Sequence, residues 1–316
     1  MNPTMNKSLA NLYDSIELTS EQLPALEDSQ FPFKAPAEFI AQIEIGNSND
    51  PLLKQIIPLK AELEVVEGFS QDPVADLASN PLPSLIHKYH GRALLIASPK
   101  CDIHCRYCFR RHFPYEQQSN QRHWQQALEA VKTDPSLHEV ILSGGDPMSL
   151  SEAVLMRLIK AIEGIKHIKT LRIHSRTPIV APSLAAQNEF INWAKQSRLK
   201  VVIVVHCNHA NELSEKTASL FTRYKQANIT LLNQSVLLKD INDDASVLEQ
   251  LSHKLFDQGV LPYYLHQLDK VQGASHFEVK DKTAKQLITK IRSRLPGYLV
   301  PKLVREIAGQ ANKTPI

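Results

Sequence analysis

The chain has 316 residues, 43% hydrophobic and 22% charged, which is enough apolar material for one large domain with a smaller one beside it. Its 36 Lys and Arg are intermixed with 33 Asp and Glu, and a formal net charge of +3 offers no basic patch for nucleic acid. The first residues lack the apolar core of a signal peptide, and runs such as VVIVV from Val201 fall far short of the roughly 20 residues a membrane helix needs, so a cytoplasmic protein without a membrane partner is expected.

Residues 1–85 read as a helical N-terminal region, with a capping-box pattern from Thr19 to Gln22 and a Pro36 suited to start a helix in APAEFIAQIE. Residues 86–316 change character. Short β-branched runs (ALLIA from Ala93, EVILS from Glu139, TLRIH from Thr170, VVIVVH from Val201, ITLLNQSV from Ile229, LPYYLH from Leu261) alternate with amphipathic segments such as SEAVLMRLIKAIEGI and SEKTASLFTRYKQA. Alternating strand and helix predicts an α/β fold with a parallel sheet and right-handed crossovers, and polar residues after nearly every strand favour a partial (β/α)6 barrel over a flat doubly wound sheet.

Three of the four cysteines, Cys101, Cys105 and Cys108, fall in CDIHCRYCFRR directly after the first of these strands. Such a cluster suits a metal better than a disulfide framework. A closed zinc site would have to recruit His104 or His112 as its fourth ligand. A four-iron cluster on three thiolates leaves one iron open to a small molecule, and the position at the mouth of a barrel strand favours that reading. Cys207, adjacent to His206 on an alternating strand, reads as a core residue.

The C-x3-C-x2-C spacing, with Tyr107 before the last cysteine, resembles the signature of radical S-adenosylmethionine enzymes, which carry a [4Fe-4S] cluster after the first strand of an α/β barrel. SGGDP at Ser143–Pro147 is similar to their Gly-Gly-acid turn, which implies that Gly144, Gly145 and Asp146 hold the amino group of S-adenosyl-L-methionine. A narrower resemblance covers most of the chain. DPLLKQIIPL, HKYHGRALL, CRYCFRRHF, LSGGDP, RIHSRTPIVAP, HCNHANEL, NQSVLLKDIND and YYLHQLD, in that order, resemble the lysine 2,3-aminomutase family, in particular the short bacterial branch that serves elongation factor P.

That resemblance implies pyridoxal 5'-phosphate on Lys313, with Lys88, Tyr89 and Arg92 around its phosphate. It implies Arg110 on the substrate α-carboxylate, Asp269 and Glu306 on the side-chain ammonium of L-lysine, and His206 and Gln234 lining the cofactor pocket. Arg111 receives no role. The residues before Lys313 are not glycine-rich and the chain ends three residues later, which fits the elongation-factor branch better than the longer free-lysine enzymes. The implied reaction is an isomerisation of L-lysine to (R)-β-lysine, handed by a separate ligase to elongation factor P. A homo-oligomer is compatible with the sequence, and no motif identifies an electron donor. The alternatives are a radical aminomutase for another amino acid such as glutamate, against which Asp269 speaks, and a zinc-stabilised scaffold protein.

Overall fold

The computed structural model describes residues 7–115 and 121–316. Its first helix, Lys7–Ile16, buries Leu9, Leu12, Tyr13 and Ile16, one face at helical spacing. Thr19 and Gln22 exchange the two bonds of a capping box, Thr19 N to Gln22 Oε1 at 2.9 Å and Gln22 N to Thr19 Oγ1 at 3.3 Å, but they close a turn and no helix follows. Pro36 does open a helix, of one turn, Ala37–Ile40. A second single turn, Pro51–Lys54, is capped by Asp50, whose side chain accepts from Leu52 N at 2.7 Å and Leu53 N at 3.0 Å. These short elements hold together because Phe39, Leu52, Leu53, Ile56 and Ile57 join the same apolar core as the sheet.

Nine strands form one open sheet in strict chain order: β1 Leu85–Tyr89, β2 Arg92–Ser98, β3 Glu139–Gly144, β4 Thr170–Ser175, β5 Lys200–His206, β6 Thr230–Leu237, β7 Leu261–Gln267, β8 Lys302–Arg305 and β9 Thr314–Pro315. The six strands expected from the sequence are β2 to β7, all parallel to one another. Helices such as Glu152–Glu163 and Glu215–Gln226 provide the crossovers.

Three strands escaped the sequence pattern. β1 pairs antiparallel with β2 across the turn His90–Gly91. Gly91 has φ +72°, and a Cβ there would meet the His138 ring at 2.2 Å, so the turn accepts only glycine. β8 adds a seventh parallel strand beside β7, and β9 folds back antiparallel on β8. Among the described residues no helix is long and apolar enough to cross a membrane.

Candidate active site

At the C-terminal mouth of the strands lies a cavity of about 340 Å³, and every site residue expected from the sequence contributes to its wall: Cys101, Cys105, Cys108, Gly144, Gly145, Asp146, His206, Gln234, Lys88, Tyr89, Arg92, Arg110, Asp269, Glu306 and Lys313. The N-terminal segment holds the cysteine loop by the residues between the thiols. His104 N donates to Lys34 O at 2.9 Å, Arg106 N to Gln55 O at 2.9 Å, and Lys34 Nζ to Cys101 O at 2.5 Å. The Arg106 side chain, fully buried, donates to Glu62 Oε1 at 2.8 Å and to Phe31 O at 2.6 Å, and Arg111 Nη2 reaches Glu62 Oε2 at 2.6 Å.

Burial pushes the Cys101 thiol well up and the Cys108 thiol to about 11, each helped by the neighbouring cysteines, so a metal entering here displaces protons. Arg176 Nη1 stands 2.7 Å from Cys105 Sγ, a cation ready for thiolate charge. Neither candidate fourth zinc ligand, His104 or His112, lines the cavity with the three thiols. His104 is stacked on Phe31 with Nδ1 at 2.7 Å from Pro32 O, and His112 Nε2 is 3.2 Å from Gln272 O. Among the described residues no three His, Cys, Asp or Glu side chains converge on one ion. Thiols that each take a different metal atom of a cluster need not converge in that way.

The glycine turn after β3 packs against this loop. A Cβ on Gly145 would lie 2.3 Å from Lys100 O, and Gly144 has φ +119°. The protein itself supplies donors to Asp146. Its carboxylate accepts from Met148 N at 2.9 Å, Ser175 Oγ at 2.6 Å, Arg176 N at 2.7 Å and Thr177 N at 3.0 Å. Burial still pushes its pKa above the ordinary range. Asp146 therefore braces the end of β4 from the turn after β3.

On the opposite wall, the register of β8 with β9 pairs Arg305 with Thr314. Glu306 follows β8 and Lys313 precedes β9, and Lys313 Nζ lies 2.8 Å from Glu306 Oε2. Glu306 also accepts from Tyr89 OH at 2.6 Å and stands 3.6 Å from Lys88 Nζ. Burial would raise its carboxyl, but Lys313, Tyr89 and Lys88 together hold it below the ordinary range. Arg92 makes no ion pair among the described residues and lies over the Tyr89 ring, 4.8 Å from its centre. Arg110 donates from Nε to Asp76 Oδ2 at 2.7 Å and from Nη1 to Ser143 Oγ at 3.1 Å.

The cavity also contains His174, His206 and His266 at the ends of β4, β5 and β7. Burial, aided by nearby cations, pushes all three down, His206 to about 3, so the imidazoles are neutral. His174 Nε2 and His206 Nε2 are buried without a hydrogen-bond partner among the described residues, although both residues line the cavity. Cys207 is fully buried with Sγ on His209 O at 3.3 Å, outside the cavity. Sequence reasoning passed over Asp76, Glu62 and Glu212, acids whose arginine partners, Arg110, Arg106 and Arg176, lie more than thirty residues away.

An open sheet of parallel strands with a three-thiol loop after the first of them defines a radical S-adenosylmethionine enzyme. Residues 95–246 match the family model described as Radical SAM superfamily. A radical SAM methyltransferase from Sphaerobacter thermophilus shares the fold at a TM-score of 0.51 and 16% identity, over 70% of this chain and 68% of that one. The chain is 49% identical over 287 residues to the L-lysine 2,3-aminomutase of Escherichia coli K12, covering 90% of this chain and 83% of that protein. It is 48% identical to the L-lysine 2,3-aminomutase of Haemophilus influenzae, covering 90% and 84%. The chain belongs to the lysine 2,3-aminomutase family, isomerases within the radical S-adenosylmethionine superfamily.

Proposed function

We propose that the protein is a pyridoxal phosphate-dependent L-lysine 2,3-aminomutase that forms (R)-β-lysine for attachment to elongation factor P by a separate ligase. The observation that carries this reading is one cavity with the cysteine loop on one wall and Lys313 on the other, Arg110 and Asp269 both lining the space they enclose. Three thiols with an adjacent guanidinium fit an iron-sulfur cluster, and a lysine amine on the wall of the same cavity is the group that can bond a carbonyl cofactor. Bound there, the cluster with S-adenosylmethionine would supply hydrogen abstraction, and pyridoxal phosphate the π-system that eases movement of an amino group.

The chain's own residues do the rest. Glu306 Oε2, 2.8 Å from Lys313 Nζ, holds and orients the lysine side chain. Arg92, with no carboxylate partner among the described residues, supports the phosphate role. The guanidinium of Arg110 suits an α-carboxylate. A glutamate side chain would face Asp269 and Glu306, like charges, so a cationic side chain is favoured. Tyr107, Phe109, Leu94 and Ile141 make much of the remaining wall apolar, which excludes water from a reactive centre.

Burial pushes the Asp269 carboxyl up to about 7, with Lys313 opposing and Glu306 reinforcing the shift. A raised pKa means that Asp269 gains a proton as pH falls through about 7 and loses its hold on an ammonium. The KM for L-lysine should therefore rise about tenfold for each pH unit below that point. Asp269→Asn should raise KM by about 10- to 100-fold at pH 8 and flatten this dependence, read from steady-state kinetics. A KM in Asp269→Asn that keeps the wild-type pH profile would remove Asp269 from substrate binding. The whole reading is tested by anaerobic incubation of reconstituted protein with reductant, S-adenosylmethionine, pyridoxal phosphate and labelled L-lysine, with products resolved by chiral chromatography. Labelled (R)-β-lysine is expected, and its absence from protein with a full cluster would refute lysine as the substrate.

A further inference from the structure

Asp76 enters none of the roles above, yet it bridges two groups that the site depends on. Its Oδ1 lies 2.7 Å from Lys88 Nζ and its Oδ2 2.7 Å from Arg110 Nε, and its side chain is 4% exposed. Asp76, Phe109 and Arg110 line both the main cavity and a second one of about 210 Å³ outside it, so the Asp76–Arg110 pair is part of the partition between them. Burial would raise the Asp76 carboxyl, but Arg110 and Lys88 hold it below the ordinary range, and the acid is ionised at neutral pH.

We infer that Asp76 is a positioning residue for recognition of the substrate carboxylate: it locks the Nε edge of Arg110 so that the guanidinium presents its free Nη2 end to the cavity. The inference rests on the reading of Arg110 as the carboxylate partner. Arg110 has its Nε on Asp76 and Nη1 on Ser143, while Nη2 has no hydrogen-bond partner among the described residues, and the residue lines the cavity. A planar fork with two edges fixed has only one direction left for a carboxylate. Asp76 is itself aimed. Asp72 accepts from Asp76 N at 3.0 Å and from Leu77 N at 3.3 Å, and the preceding Ala75 has φ +50°, a left-handed conformation unfavourable for any residue with a side chain. Lys88, the second cation on Asp76, donates to Val74 O at 2.7 Å in the same turn, so acid, turn and both cations form one unit.

A brace that merely held the fold would affect every ligand alike, whereas a residue that orients Arg110 affects only ligands with a carboxylate. The probes are L-lysine and 1,5-diaminopentane, which has both amines and no carboxylate, titrated calorimetrically into the anaerobic holoenzyme without reductant, so that nothing turns over. Asp76→Asn is expected to reduce the preference for L-lysine over diaminopentane by about tenfold or more, with diaminopentane affinity and iron content at wild-type levels. Asp76→Glu, which keeps the charge but moves it by one methylene, is expected to lose part of the preference, and it carries the test alone if the Asn variant does not fold. An unchanged preference in these variants, or equal weakening of both ligands, overturns the proposal. Arg110→Lys separates the two levels. If it keeps the full preference, the carboxylate binds elsewhere and the reading of Arg110 falls along with that of Asp76; if it loses the preference while Asp76→Asn keeps it, only Asp76 is wrongly assigned.

Discussion

Lys313→Ala is expected to lower turnover at least about a thousandfold while leaving the iron-sulfur content intact, because the side chain contributes chemistry and little structure. Lys313 is 24% exposed, and its segment is held by backbone pairs between β8 and β9, Val304 with Pro315 and Arg305 with Thr314, which alanine leaves in place. Glu306 keeps Tyr89 OH at 2.6 Å and Lys88 at 3.6 Å, so the loss of Lys313 does not leave a buried carboxylate unpaired. Three readouts follow: no pyridoxal absorbance in the purified variant, wild-type iron and sulfide, and no β-lysine. Lys313→Arg should be equally inactive, because it restores the charge beside Glu306 without an amine that can form the cofactor bond. Turnover at the wild-type rate in Lys313→Ala would remove the lysine from the chemistry altogether.

Local pattern made the centre of this molecule legible, and distance in sequence hid its supports. Six strands announced themselves as β-branched runs, and the cysteines as a spacing that only a metal site explains well. β1 was readable in hindsight from His90–Gly91, a two-residue turn between apolar runs. β8 and β9, four and two residues long, carry too little pattern for any periodicity. Their pairing nonetheless brings Lys313 to Glu306, seven residues before it, across a turn that no periodicity announces. Asp146 is similar. Its motif is local, but the donors of Ser175, Arg176 and Thr177 to its carboxylate lie about thirty residues on, and only the fold brings them there.

Glu62→Ala is expected to cost about 3–5 kcal/mol and to lower the melting temperature by on the order of 10 °C, with loss of iron from the purified protein. Glu62 is the one carboxylate paired with both Arg106, 0% exposed, and Arg111, 5% exposed, among the described residues. Burial alone would raise its carboxyl, but the two guanidiniums hold it below its ordinary value of 4.5. Its stabilising effect is therefore complete above that value and is lost as pH falls through the lower, folded one. Without Glu62, two cations would stay buried within the cysteine loop with only carbonyls and the Ser29 hydroxyl to receive them. Both flank the thiols, Arg106 next to Cys105 and Arg111 three residues after Cys108, so their release moves the ligands themselves. Against a typical total stability of about 5–15 kcal/mol the variant should still fold, which lets iron retention be measured separately from unfolding. Glu62→Gln, matching the shape without the charge, should fall between wild type and Ala in both melting temperature and iron. Wild-type iron together with a lowered melting temperature would make Glu62 a fold residue only, and a melting temperature within about one degree of wild type would show that the two arginines are solvated in solution and that the clamp on the cysteine loop lies elsewhere.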